Sequence, residues 1–125
     1  MALGTSFSFL ESCASMPVFK ASESDRIISV PIDKFLISNT VLVRTAWLSY
    51  DVLLVKKSEE IFNAIYLKCS HQDNILSATK TGLFCTTHGS IFDLDGNAMK
   101  EPAIDPLKKF KTVINNNTID IYMDL

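Results

Sequence analysis

Short runs of apolar and β-branched residues, often alternating with polar ones, recur along most of this chain. Turn-forming residues bound these runs, and the pattern is typical of β-strands with at least one buried face. The predicted strands are residues 26–30, 40–44, 51–55, 61–67, 110–114 and 118–123. No long segment keeps the helical period of about 3.6 residues. The best helical candidate, residues 58–62, is short.

Many short strands separated by turn signals predict an all-β fold, a small sandwich or barrel of antiparallel strands. Two turns are predicted from the residues that form them. The run Asn115-Asn116-Asn117 predicts a hairpin between the last two strands, because asparagine tolerates positive φ. Asp95-Gly96 predicts a second hairpin turn. In the last strand, Ile119 and Ile121 alternate with polar or amphipathic neighbours, so one face is expected to be buried.

The composition of the chain indicates a single globular domain. The 125 residues suit one domain, and with 47% hydrophobic and 21% charged residues the profile is that of an ordinary globular protein. Twelve basic and fourteen acidic side chains give a net charge of −2. We therefore expect no nucleic-acid partner, because the chain lacks the basic excess that such binding needs. No apolar run reaches the length of about 18 residues that a transmembrane helix requires.

The first part of the chain differs from the rest. Residues 1–25 are predicted to be a leader or flexible N-terminus, and residues 26–125 the folded domain. The run Leu10-Glu11-Ser12-Cys13 is similar to a lipoprotein box, although Glu11 is unusual there and no basic residue precedes Lys20. If it is such a box, Cys13 is a lipid attachment site and the protein belongs to a bacterial cell envelope. Otherwise a cytoplasmic location is expected, and the two alternatives stay open.

The rarest residues lie close together. The chain has three cysteines and two histidines, and a C-x-H pair, Cys69 and His71, precedes a C-x-x-H pair, Cys85 and His88. Residues 75–82 are predicted to form a hairpin that brings the first loop (residues 67–74) beside the second loop (residues 84–93). An odd cysteine count at these spacings does not suggest a disulfide framework.

Thiolate and imidazole ligands serve both iron–sulfur centres and zinc. Structural zinc sites favour two to four residues between paired ligands, so the single residue between Cys69 and His71 is awkward for one tetrahedral ion. The spacing is natural if these two residues bind different irons. It therefore favours a two-iron cluster and leaves zinc as an alternative.

Two further segments resemble a known family. The run Cys85-Thr86-Thr87-His88-Gly89-Ser90 is similar to the C-P-x-H-G-S box of Rieske iron–sulfur proteins. Glu101-Pro102-Ala103, followed by Pro106 and Leu107, resembles the proline loop that covers the cluster in that family. The resemblance covers the second half of the chain, with the cluster-binding part at about residues 67–110.

The resemblance implies one [2Fe–2S] cluster. Cys69 and Cys85 would bind one iron, His71 and His88 the other, and the Ser90 hydroxyl would donate a hydrogen bond to a cluster sulfur. Neither loop carries the extra cysteine that bridges the loops in some members, so the chain resembles the disulfide-free Rieske ferredoxins. Phe92 stands where members of higher potential have a tyrosine.

The resulting hypothesis is a ferredoxin-like carrier of single electrons, an electron-transfer protein rather than a stand-alone catalyst. Its partners would be redox proteins, a reductase or a terminal oxidoreductase. One alternative is a small Rieske subunit of a larger oxidoreductase or respiratory complex. Another is a non-redox Cys2His2 zinc-binding domain. A Rieske oxygenase would need further histidines for its mononuclear iron, and both histidines of the chain are already assigned.

Overall fold

The computed structural model describes residues 16–21, 26–70 and 73–124, and this part of the chain is almost entirely β-structure. It holds eleven strands and one short 3-10 helix, Ile32–Phe35. The strands are β1 (Val18–Ala21), β2 (Ile27–Pro31), β3 (Thr40–Thr45), β4 (Val52–Lys56), β5 (Phe62–Tyr66), β6 (Ser77–Ala78), β7 (Leu83–Phe84), β8 (Ile91–Phe92), β9 (Ala98–Lys100), β10 (Lys109–Asn115) and β11 (Thr118–Tyr122). The all-β prediction is confirmed.

The strands form two sheets. The large sheet has the order β1-β3-β4-β5-β10-β11-β2, and the small sheet has the order β6-β7-β8-β9. The described strand pairs are antiparallel except for β1 and β3, which run parallel. At that edge the N–H of Leu42 donates to the carbonyl of Pro17 at 2.9 Å. Sequence reasoning did not predict this strand, which lies within the segment expected to be a leader.

Two cores lie on opposite faces of the large sheet. The first core consists of Ile28, Val30, Phe35, Val41, Val43, Val52, Leu54, Phe62, Ala64, Tyr66, Phe110, Ile119, Ile121 and Met123. The second core consists of Leu53, Val55, Ile65, Leu67, Cys69, Leu76, Leu83, Cys85, Phe92, Ala103 and Leu107. The second core joins the large sheet to the small one, and both cysteines of the motif lie in it.

Strand β4 contributes side chains to both cores. Successive side chains of a strand point to opposite faces, so Val52 and Leu54 enter the first core while Leu53 and Val55 enter the second. All four are buried. This is why β4 has a continuous apolar run rather than an alternating one.

The helical candidate at residues 58–62 is wrong. The Ile61 carbonyl accepts hydrogen bonds from the N–H groups of Lys57 and Ser58, which closes a turn, and β5 begins at the next residue, Phe62. So short a segment cannot offset the cost of nucleating a helix. Phe62 instead packs its ring edge-on against Phe35, with the ring centroids 5.2 Å apart.

The turns predicted from Asn116 and Gly96 are confirmed. Asn116 has a φ of 57° and connects β10 to β11. Gly96 has a φ of 84°, and its N–H donates to the Asp93 carbonyl at 3.0 Å. Asp95 fastens this turn to β5, because Asn63 Nδ2 donates to its Oδ1 at 2.9 Å. The small sheet is thereby held to the large one by polar contacts as well as by the second core.

Cys13 and most of the predicted leader lie outside the described residues. Residue 16 begins the described chain, and Met16 packs against the second core. Among the described residues, no helix has the length and apolar character needed to cross a membrane.

Candidate metal centre

The first loop continues directly from β5 and brings Cys69 into the second core. Cys69 is 3% exposed. Its N–H donates to the Asn74 carbonyl at 2.9 Å, and Lys68 forms an isolated β-bridge with Ile75. These bonds close the loop on itself. His71 and Gln72, at its centre, lie outside the described residues.

Three side chains hold the first loop to its surroundings. The Tyr50 hydroxyl donates to the Asp73 carbonyl at 3.0 Å. Lys68 Nζ lies 3.3 Å from Asp73 Oδ1. The Ser70 hydroxyl donates to the Asp105 carbonyl at 2.6 Å, which connects the first loop to the proline loop (residues 101–107).

The second loop begins at the end of β7 and closes tightly between Cys85 and Ser90. The N–H of Cys85 donates to the Ser90 carbonyl at 2.9 Å, and the N–H of Gly89 donates to the Cys85 carbonyl at 2.8 Å. Gly89 has a φ of 80°, a conformation that favours glycine and explains its place in the motif. Strands β6 and β7 form a hairpin between the two loops, and it spans residues 77–84 rather than the predicted 75–82.

The two cysteines meet although they enter from different sheets. Cys69 and Cys85 lie in the same buried core, and Cys85 is 1% exposed. Burial alone raises the pKa of the Cys85 thiol. The backbone N–H groups of His88 and Thr87, with smaller contributions from the Thr87 and Cys69 side chains, outweigh burial and lower the pKa below its ordinary value. The site therefore favours the thiolate, the form that binds metal.

His88 and Ser90 follow Cys85 on the same loop but differ in exposure. His88 is exposed, whereas Ser90 is fully buried. The Ser90 Oγ accepts a hydrogen bond from the N–H of Ala103 at 3.2 Å. A hydroxyl can accept and donate at once, so its proton is still able to serve another acceptor. Phe92 is also fully buried and shares the second core with both cysteines.

The described residues fit the donor set of a mixed cysteine and histidine cluster. Two cysteine side chains lie together inside the protein, backbone N–H groups lower the pKa of the Cys85 thiol, and an imidazole lies at the surface of the same loop. Of the predicted site residues, Cys69 and Cys85 are brought together, and His88 and Ser90 follow Cys85. Within the described ranges, no group of three or more acidic, histidine or cysteine side chains could hold a single metal ion, and His71 lies outside those ranges.

Sequence reasoning missed two residues of this site, Ser70 and Tyr50. Both bond to backbone carbonyls distant in sequence, and such bonds leave no periodic signal. The one sequence signal that could have identified Ser70 as a site residue is its position between Cys69 and His71.

Comparisons with known proteins identify the domain family that contains this site. Residues 34–111 match the family model of the Rieske [2Fe-2S] domain. No significant match exists among curated proteins. The fold is similar to that of the plasma membrane Rieske protein PetC3 from the cyanobacterium Synechocystis PCC 6803, with a TM-score of 0.62 and 22% identity over 75% of this chain and 97% of that chain.

Two ferredoxins have a similar fold. One is the ferredoxin of carbazole 1,9a-dioxygenase from Nocardioides aromaticivorans IC177, with a TM-score of 0.56 and 18% identity over 80% of this chain and 100% of that chain. The other is the Sphingomonas yanoikuyae B1 ferredoxin, with a TM-score of 0.57 and 17% identity over the same shares.

The family match covers more than half of the chain and includes both cysteine loops. A Rieske domain implies one [2Fe–2S] cluster and electron transfer through it. This chain therefore belongs to the Rieske [2Fe–2S] domain family.

Proposed function

We propose that this protein is a ferredoxin-like carrier of single electrons whose cluster is bound by Cys69, His71, Cys85 and His88. The observation that carries the proposal is the division within the site. The two sulfur ligands are buried side by side in the second core, while His88 is exposed on the same loop as Cys85. Such a site protects one side of the cluster and presents the other to a partner.

Each loop supplies one cysteine and one histidine. In this proposal Cys69 and Cys85 would bind one iron, and His71 and His88 would bind the other. The N–H groups of Thr87 and His88 stabilise negative charge on the Cys85 sulfur. The exposed edge of His88 is the point where electrons enter and leave.

The ligand set determines how readily the site accepts an electron. A bound cluster of this type takes up and releases one electron. Two neutral imidazoles in place of two thiolates remove two negative charges from the site, which eases reduction and gives a potential between about −150 and +300 mV. The Ser90 hydroxyl proton, directed at a sulfur, would stabilise the electron-rich state further.

The freestanding carrier is supported by the similarity of this fold to two ferredoxins, each of which is matched over its whole length. The partners would be a reductase and a terminal oxidoreductase. Stable co-purification with a larger oxidoreductase would instead support the subunit alternative.

The test is metal and sulfide analysis followed by a redox titration monitored in the visible spectrum. The protein should contain about two irons and two inorganic sulfides per chain. The titration should follow a one-electron curve. A colourless protein with zinc as its stoichiometric metal would establish the non-redox alternative instead.

A further inference from the structure

The small sheet has an exposed apolar face beside the second loop. Its strand pairing places Phe84 opposite Ile91 and Ile91 opposite Lys100, so these three side chains lie on one face. The neighbouring pair, Leu83 and Phe92, lies on the other face and is buried in the second core. Phe84 is 37% exposed and Ile91 is 41% exposed. The small sheet therefore buries one face and leaves large apolar side chains on the other in contact with solvent.

This exposed face lines a groove of about 760 Å³. Met99, the extra residue in the irregular pairing of β8 with β9, adds a third apolar side chain to it and is 64% exposed. Thr79, in the turn between β6 and β7, and Gly89, in the second loop, also line the groove. A segment bound in the groove would therefore lie beside the loop that carries Cys85.

The groove has a positive charge that no carboxylate of the described residues neutralises. Lys100 lines it, and Lys80 lies in the adjoining turn between β6 and β7. Neither lysine takes part in an ion pair within the described ranges. The carboxylate that lines the groove, Asp93, already accepts two backbone N–H groups of its own turn at 2.9 Å each and Asn97 Nδ2 at 3.2 Å. Glu101 follows Lys100 but does not line the groove.

We propose that the groove binds an apolar segment of a redox partner protein, and that carboxylates flanking this segment pair with Lys80 and Lys100. An apolar centre with charged groups at its edge is the arrangement found in protein interfaces. The inference rests on the proposed function and specifies the chemistry of the partner. Gly89 is adjacent to His88, so a partner held in the groove would also lie near the proposed point of electron exchange.

The shape of this surface favours a protein segment over a lipid bilayer. Membrane-surface binding inserts apolar side chains that protrude from the protein. Here Phe84, Ile91 and Met99 instead line a concave surface, which receives a segment protruding from the partner. Two lysines also supply only a limited electrostatic attraction to an anionic membrane.

The first measurement is the affinity of the full chain for two rhodamine-labelled octapeptides, followed by fluorescence anisotropy. One peptide alternates leucine with glutamate, and the other alternates leucine with lysine. The acidic peptide should bind at least about 10-fold more tightly than the basic one. Its affinity should fall as NaCl rises from about 50 to about 300 mM, because salt screens exposed charge pairs. Equal affinities for the two peptides, or no binding of either, would overturn the proposal.

Charge reversal tests the two lysines. Combined Lys80→Glu and Lys100→Glu should weaken binding of the acidic peptide about 5- to 20-fold, since each exposed ion pair contributes a factor of up to about five. The matched control combines Lys34→Glu and Lys111→Glu, which change the net charge equally at positions outside the groove. The control should keep most of the affinity. An equal loss in both double variants would show that only net charge matters and would overturn the proposed site.

Met99→Ser tests the apolar part of the groove without changing charge. It should weaken binding of the acidic peptide about 3- to 10-fold, because the side chain would lose its burial against the peptide. The matched control is Ile37→Ser, at a side chain that is 80% exposed and outside the groove. It should leave the affinity unchanged. Equal effects of the two substitutions would contradict the assigned contact.

Hydrogen–deuterium exchange with saturating acidic peptide locates the contact. Exchange should slow within residues 77–100 and stay unchanged in residues 109–124, and protection confined to other segments would overturn the proposal. Two further outcomes would also overturn it: self-association, or binding to phosphatidylglycerol vesicles, that is lost in the double variant of Lys80 and Lys100. These would identify a second copy or a membrane as the occupant. If the protein held no cluster, the proposed function would fail, whereas the peptide titration would still decide whether the groove binds an acidic segment.

Discussion

Cys69 and Cys85 lie together in the buried second core, although Cys69 follows the large sheet and Cys85 follows the small one. Two sheets are thus needed to bring the two cysteines together. The packing that joins the sheets also sets the separation of the sulfurs. Substitutions around this pair therefore test the site and the fold together.

The first prediction concerns the two histidines proposed as ligands. His71→Ala or His88→Ala should abolish cluster binding or severely weaken it, because one iron loses one of its four ligands. Iron and sulfide content per chain measures this. Cys13→Ser is the control and should keep both, because Cys13 lies outside the motif. The ligand assignment is wrong if Cys13→Ser loses iron while the histidine variants keep it.

Ser90→Ala should lower the midpoint potential. If its hydroxyl donates to a sulfur, it stabilises the reduced state by about 1–2 kcal/mol more than the oxidised one. At 59 mV for each tenfold change in a one-electron equilibrium, the expected decrease is about 40–90 mV. A change below about 10 mV would mean that Ser90 serves only to hold Ala103.

Phe92→Tyr should raise the midpoint potential, because it adds a hydroxyl donor in the core that contains both cysteines. The matched control is Phe62→Tyr in the first core, at the end of β5 away from the first loop. Phe62→Tyr should leave the potential unchanged. Equal shifts in the two variants would show that the effect does not depend on proximity to the site.

Asp120 links stability to pH at a position distant from the motif in sequence. Burial alone raises the pKa of this carboxyl, but hydrogen bonds from the Ser29, Thr118 and Asn115 side chains outweigh burial and lower the pKa below its ordinary value. A lowered pKa means that the carboxylate stabilises the fold at neutral pH. That contribution is lost as the pH falls from the unfolded-state value through the folded-state value.

Asp120→Asn should therefore reduce the free energy of unfolding by about 1 kcal/mol at pH 7. The difference from wild type should shrink when both proteins are measured near pH 3. Thermal or denaturant unfolding at the two pH values provides the comparison. Asp124→Asn, at an exposed carboxylate just beyond the same strand, is the control. A difference that is the same at both pH values would contradict the proposed linkage.

Much of the fold could be predicted because burial determines where apolar residues recur along a strand. The boundaries predicted for β2 through β5 and for β10 and β11 agree with the structure to within about one residue. The family could be recognised from residues Cys85 to Ser90, because their proposed ligand chemistry and a tight turn both constrain their order. Gly89, with its positive φ, is one example.

The remaining features depend on contacts between distant segments. Strand β1 is short and forms its parallel edge only through pairing with β3. Ser70 and Asp105 are 35 positions apart, and Tyr50 and Asp73 are 23 apart. No local pattern in the sequence encodes such partners. The 3-10 helix Ile32–Phe35 was missed because a segment of that length carries too little periodic signal.

The central claim is that two histidines and two cysteines share one two-iron cluster, and pulsed electron paramagnetic resonance of the dithionite-reduced protein tests it most directly. With ¹⁵N-labelled histidine, the spectrum should show couplings to two histidine nitrogens. His71→Ala or His88→Ala protein that retained any cluster should lose one of them. A reduced cluster without histidine couplings, or with only one in the wild type, would contradict the account.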